Sequence, residues 1–117
     1  FFVYSGDDAT AIDFILSGAK GNISVTANIT PDWMSQACTF ALQGRADEAR
    51  ALDAKMSILH RLLFCESNPI PVKWAVHELG LIDSLGIRLP LTSLSRGAQP
   101  ALREALLSLN LLTPEPA

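Results

Sequence analysis

Two short apolar runs, each ending in small polar residues and each followed by a helical pattern, constrain this chain more than any other feature. They are Phe1-Phe2-Val3-Tyr4-Ser5-Gly6-Asp7-Asp8 and Gly21-Asn22-Ile23-Ser24-Val25-Thr26-Ala27-Asn28. This is the order of a strand feeding a helix in a parallel α/β sheet. Two parallel strands can neither close a barrel nor bury both of their faces, so the sheet is expected to be completed by polypeptide outside this chain. The chain therefore reads as the back end of a larger enzyme.

Composition points the same way. A hydrophobic share of 49% in 117 residues, with a mean hydropathy of +0.26, exceeds what a small domain needs to cover itself, so some apolar surface is expected to meet a partner. The first residue is Phe and an apolar strand begins at once, which reads as an internal position of a longer polypeptide and not as a natural start. No run approaches the roughly 18 apolar residues of a membrane span, and no basic segment leads into a hydrophobic stretch and cleavage site. The net charge of −3, with nine scattered Lys and Arg, argues against a nucleic-acid or anionic membrane surface. Cys38 and Cys65 fall on separate apolar helix faces without metal or redox spacing. They are expected to be buried, reduced thiols of a cytoplasmic protein.

After each strand the periodicity turns helical. Asp7 or Asp8 is placed to cap a helix with apolar positions Ala11, Ile12, Ile15 and Leu16, which Gly18 ends. A second strand is predicted at Ile23–Thr26. Thr30 and Pro31 form an N-cap and N1 pair before a stripe of Met34, Ala37, Cys38, Ala41 and Leu42, stopped by Gly44. From Ala46 to Phe64, Ala49, Leu52, Met56, Leu59 and Leu63 mark a long amphipathic helix. Pro69 and Pro71 punctuate the chain, then Val72, Ala75, Val76 and Leu79 give a shorter helix closed by Gly80. Leu102, Ala105, Leu106 and Leu109 mark the last helix, and Pro114 and Pro116 a frayed tail. The change from strand-helix units to helix alone near Gly44 is the candidate boundary, dividing residues 1–44 from residues 45–117.

Several blocks together carry a family resemblance: Ser5-Gly6-Asp7-Asp8-Ala9, Ile23-Ser24-Val25-Thr26-Ala27-Asn28, Asn68-Pro69-Ile70-Pro71-Val72-Lys73-Trp74, Leu79-Gly80-Leu81 and Arg88-Leu89-Pro90. In content and spacing they resemble the C-terminal part of the dihydrodipicolinate synthase family, from the first residue to about Leu112. N-acetylneuraminate lyase and other pyruvate-dependent aldolases of the superfamily are less similar at the strand ends. The resemblance implies the last two βα units of a (β/α)8 TIM barrel followed by a C-terminal all-helical domain. It further implies a homotetramer or homodimer that condenses pyruvate with aspartate 4-semialdehyde in lysine biosynthesis through a Schiff base, without a cofactor. Phe2–Ser5 would be the seventh strand and Asn22–Thr26 the eighth, with the missing N-terminal part of the same barrel as an obligatory partner.

On that reading no catalytic residue lies in this chain, because the Schiff-base lysine belongs to the sixth strand. Lys20, Lys55 and Lys73 are not nucleophile candidates: a nucleophilic lysine needs a desolvated pocket, and these read as loop or helix-face residues. The pocket wall is what the chain can supply. By resemblance, the main-chain carbonyl of Ile23 faces the pyruvate-derived part of the adduct, and Gly6 lets the backbone approach the second substrate. Taken alone, Ile23 would be an ordinary core residue of a strand. Asp7 and Asp8 read as a helix cap and first-turn acid, and their charge disfavours phosphorylated substrates. Asn68, before Pro69-Ile70-Pro71, is either a turn former or, by resemblance, a partner of the arginine that binds the substrate carboxylate. His60 and His77 lie on different helices with no carboxylate at ligand spacing, so no metal site is expected. Trp33 and Trp74 read as packing anchors. Two alternatives stay open, a related pyruvate-dependent aldolase and a non-catalytic helical module that adds its strands to a partner's sheet edge.

Overall fold

The computed structural model describes residues 1–114, so Pro116 of the expected tail lies outside the described residues. The chain forms two compact units, Phe1–His60 and Arg61–Ala117.

In the first unit, β1 (Tyr4–Ser5) and β2 (Gly21–Asn22) pair in parallel, with Tyr4 opposite Gly21 and Ser5 opposite Asn22. Two flanking bonds extend the ladder, Lys20 N–H to the Val3 carbonyl at 2.8 Å and Ile23 N–H to the Ser5 carbonyl at 2.9 Å. Parallel strands need a crossover, and a 3₁₀ turn at Asp8–Thr10 leading into α1 (Ala11–Leu16) provides it. The Tyr4 ring lies against Gly21, where a Cβ would come within 3.1 Å of it. The second strand is shorter than expected and earlier: it ends at Asn22, and Thr26–Asn28 is a 3₁₀ turn. The amides of Val25 and Thr26 bond a carboxylate instead of a neighbouring strand, which bends the chain out of the ladder.

Helices α2 (Pro31–Leu42) and α3 (Ala46–Leu62) follow. Ile12, Ile15, Ala19, Met34, Ala37, Ala41, Ala49 and Met56 form one buried cluster. Ala37 and Ala41 of α2 carry only a methyl group, which lets its backbone lie close to that of α1. Thr30 does occupy the position before Pro31, but its hydroxyl meets Met56 Sδ at 3.3 Å and not the helix amides. Leu42, expected in the apolar stripe, is exposed, because α2 ends there. Gly44, at φ +74°, takes the left-handed conformation that closes α2, with Arg45 N–H bonded to the Phe40 carbonyl at 2.9 Å.

The second unit carries α4 (Ile70–Glu78) and α5 (Gln99–Ser108). Pro71 lies in the first turn of α4, where its missing N–H costs nothing, so only Pro69 belongs to the preceding loop. Gly80, at φ +77°, ends this helix as Gly44 ends α2, with Leu81 N–H on the Val76 carbonyl at 3.0 Å. Leu63, Ile70, Val72, Trp74, Ala75, Leu94, Leu102, Ala105 and Leu106 are buried. Cys65 departs from expectation: it is exposed just beyond α3, whereas Cys38 is partly buried on α2. Burial pushes the Cys38 thiol up, and the charges of Asp8 and Asp53 push it further.

Phe1, Phe2, Val3, Tyr4 and Ile23 are exposed on and beside the strands, and Phe14, Leu42, Phe64, Leu81 and Leu89 are exposed elsewhere. A two-stranded sheet has nowhere to bury the former group. Within the first unit the core cluster sets the stability: Met56→Ala is expected to cost about 2–5 kcal/mol, and Leu42→Ala no more than about 0.5 kcal/mol. Denaturant unfolding of both variants checks the contrast, and equal losses would contradict the assigned core.

Candidate functional site

The C-terminal ends of β1 and β2 lie side by side because Ser5 pairs with Asn22, so the residues that follow each strand, Gly6 and Ile23, are brought together. Ser5 is buried and clamps the turn after β1: its hydroxyl donates to the Asp7 carbonyl and accepts from the Asp7 N–H, both at 3.1 Å. Gly6 lies inside that clamp, exposed, with open space where a Cβ would stand. Asp7 is exposed, and its carboxylate accepts the Thr10 hydroxyl at 2.7 Å.

Asp8 is the centre of the arrangement. It is only 2% exposed, and its carboxylate accepts four hydrogen bonds from the second strand-helix unit. Oδ1 takes the Ser24 hydroxyl at 2.5 Å and the Asn22 amide at 3.0 Å; Oδ2 takes the Val25 and Thr26 N–H groups at 2.9 and 3.0 Å. Burial pushes this carboxyl up, but the Ser24 hydroxyl, the Thr26 amide, the Asn22 side chain and the Val25 amide together outweigh it, and its pKa is lowered. The expected helix cap is thus absent at both acids. Asp7 and Asp8 make no side-chain bond to the helix amides, since Asp8 reaches across to the turn that follows β2.

Ile23 sits between two tethered neighbours. Asn22 and Ser24 are held by Asp8, its own N–H is held by Ser5, and its side chain projects 76% exposed. Among the described residues its carbonyl accepts no hydrogen bond. Beyond it, Thr26 is fully buried, and its hydroxyl meets His60 Nδ1 at 2.8 Å; His60 Nε2 lies 2.9 Å from Asp53 Oδ1. The sequence reading left His60 without a carboxylate. Asp53 lies seven residues earlier on α3, two turns back on the same face, and that spacing was the available signal.

Asn68 belongs to the second unit, exposed in the turn before α4, which Ile70 N–H closes on the Ser67 carbonyl at 2.8 Å. That unit also holds a cleft of about 330 Å³ lined by Glu78, Arg103, Leu107, Leu112, Thr113 and Pro114, with Glu78 and Arg103 paired at 2.7 Å. Lys20 is exposed, Lys55 stands 3.9 Å over the Trp33 ring, and Lys73 is half-buried beside Trp74.

Because the folded pKa of Asp8 lies below its unfolded value, its contribution is complete at neutral pH and is lost as pH falls through the folded value. Asp8→Asn is expected to cost about 1.5–3 kcal/mol at pH 7 and to flatten the acid limb of a stability–pH curve. Urea titrations at stepped pH measure both, and an unchanged acid limb would remove Asp8 from its central place.

Residues 1–109 match the Dihydrodipicolinate synthetase family. The 4-hydroxy-tetrahydrodipicolinate synthase of Alcanivorax borkumensis is 61% identical over 112 residues, which are 96% of this chain and 38% of the relative. That of Pseudomonas aeruginosa is 58% identical over 106 residues, 91% of this chain and 36% of the relative. Among solved structures, the chloride-inhibited dihydrodipicolinate synthase of Acinetobacter baumannii complexed with pyruvate superposes with a TM-score of 0.93 at 54% identity, covering 96% of this chain and 38% of that one. The chain spans somewhat over a third of the length of these relatives. The resemblance read in the sequence therefore holds, and the chain belongs to the dihydrodipicolinate synthetase family.

Proposed function

We propose that this chain is the C-terminal part of a Schiff-base lyase that condenses pyruvate with L-aspartate 4-semialdehyde to 4-hydroxy-tetrahydrodipicolinate in lysine biosynthesis. The observation that carries the reading is the 61% identity to a 4-hydroxy-tetrahydrodipicolinate synthase over nearly the whole chain. The parallel pairing of β1 with β2 through a helical crossover supports it, because that is the repeating unit of a (β/α)8 barrel. Residues 1–44 are then the seventh and eighth strand-helix units and residues 45–117 a helical domain. The exposed apolar residues on the strands are the faces that the remaining barrel covers, and the complete enzyme works in the cytoplasm as a homotetramer or homodimer.

The chemistry assigned to this portion is that of a wall and not of a nucleophile. The Ile23 carbonyl, free of main-chain partners among the described residues, is aimed at the pyruvate-derived part of the adduct. Gly6, with nothing where a Cβ would be, leaves room for the second substrate to reach the backbone. The exposed Asp7 carboxylate at the same strand ends repels phosphate and so favours non-phosphorylated substrates. Asn68 orients the arginine that binds the substrate carboxylate. The nucleophile is a lysine of the complete barrel outside these residues.

Two experiments test this reading. Borohydride trapping with pyruvate should add no mass to the 117-residue chain, because the covalent route needs the absent lysine; a pyruvyl adduct on Lys20, Lys55 or Lys73 would overturn it. In the complete enzyme, Asn68→Ala should raise KM for aspartate 4-semialdehyde or lower kcat while pyruvate forms its Schiff base at the normal rate, with stability changed by no more than about 1 kcal/mol. Steady-state kinetics in both substrates beside a thermal melt separates the outcomes. Unchanged kinetics with a lowered Tm would reduce Asn68 to a turn former.

A further inference from the structure

His60 is buried and polar, and the proposed chemistry does not use it. Its ring spans two partners, the Thr26 hydroxyl at 2.8 Å on one nitrogen and the Asp53 carboxylate at 2.9 Å on the other. A carboxylate only accepts, so Nε2 carries the proton toward Asp53, and Nδ1 completes its contact with a hydroxyl that can give or take. Burying such a group costs free energy unless every polar atom is matched, and an apolar side chain would fill the same space without that demand. Core filling alone thus leaves the choice of His60 unexplained. What a matched polar chain adds is direction: it admits one geometry of the groups it joins.

The group so directed is the turn after β2. Thr26 is the residue at which two independent restraints meet. Its N–H is held by Asp8, from the β1 side, and its hydroxyl by His60, from α3. The residues between Ile23 and Thr26 are tied to Asp8 as well, Ser24 through its hydroxyl and Val25 through its N–H. A rotation of the peptide plane at Ile23 must therefore be taken up by a segment fixed at both ends. We propose that the Asp53–His60–Thr26 chain is a positioning device that sets the direction of the Ile23 carbonyl toward pyruvate. This inference rests on the reading of Ile23 as part of the pyruvate-binding wall. Thr26 and His60 act through the turn and touch no substrate.

The test uses the complete enzyme. Thr26→Val keeps the volume and removes the hydroxyl; it should raise KM for pyruvate about tenfold with kcat changed by less than about twofold, and Thr26→Ser should restore the parent value. Asp53 is partly exposed, so Asp53→Ala, which frees His60 Nε2, is the variant that folds should Thr26→Val fail; it should raise KM for pyruvate about threefold. A lowered Tm with unchanged KM in the folded variants would make the chain purely structural and overturn the inference. Hydrogen exchange of the parent enzyme with and without pyruvate separates this from failure of the underlying reading. Pyruvate should protect the amides from Ile23 to Thr26; no protection would remove Ile23 from the wall, and the positioning role with it. Protection in the parent together with unchanged KM in the variants would leave the wall standing and overturn the positioning role alone.

Discussion

A single buried carboxylate organises the strand ends of this chain. Asp8 opens the 3₁₀ turn after β1, yet all four of the bonds its oxygens receive come from Asn22, the last residue of β2, and from Ser24, Val25 and Thr26 beyond it. An ionised carboxylate withdrawn from water is costly unless its oxygens are filled, and donors of this number and length fill them. The ladder itself is two residues long on each side, too short to fix a register alone. The Asp8 cluster supplies the missing constraint. It ends β2, forms the turn that follows, and leaves Ile23 as an exposed crest between held neighbours.

One feature that would weaken an autonomous domain fits the proposed place in a larger barrel. Phe1, Phe2, Val3, Tyr4 and Ile23 are exposed on and beside the strands, while the helices of the first unit bury one another's apolar residues in a common cluster and leave Phe14 and Leu42 outside it. Most buried polar groups at the same place are matched, Ser5, Asp8, Thr26 and His60 among them, while the Asn22 side-chain oxygen is buried without a partner among the described residues. The polar contacts thus gather between the strand ends and the helices, and the apolar residues on and beside the strands face open surface.

Much of this was legible in the residues. The 3.6-residue stripes located α2 to α5, because amphipathic burial dominates helix formation, and the left-handed glycines at 44 and 80 closed helices where the pattern stopped. The blocks around Gly6, Ile23 and Asn68 carried the family. The second strand was misplaced because Ile23, Val25 and Thr26 are good strand residues, and β propensity yields to tertiary bonds such as those Asp8 makes. Asp7 and Asp8 were read as caps for a related reason: an acid before a helix most often bonds the nearest amides, and nothing local reveals that Asp8 bonds residues 14 to 18 positions away. The pairing of His60 with Asp53 was visible as helical spacing, but its extension to Thr26 across 34 residues was not.

The placing of the two indole rings has a use of its own. Trp33 is half-buried in the first unit under the Lys55 ammonium at 3.9 Å, and Trp74 is buried in the second with the Arg103 guanidinium 5.3 Å from its ring. Each compact unit therefore carries its own intrinsic fluorophore, with a cation against it and a different degree of wetting. Replacing either indole by phenylalanine leaves an emission signal that belongs to one unit alone, so the order in which the two units lose their structure can be followed by light without any added label.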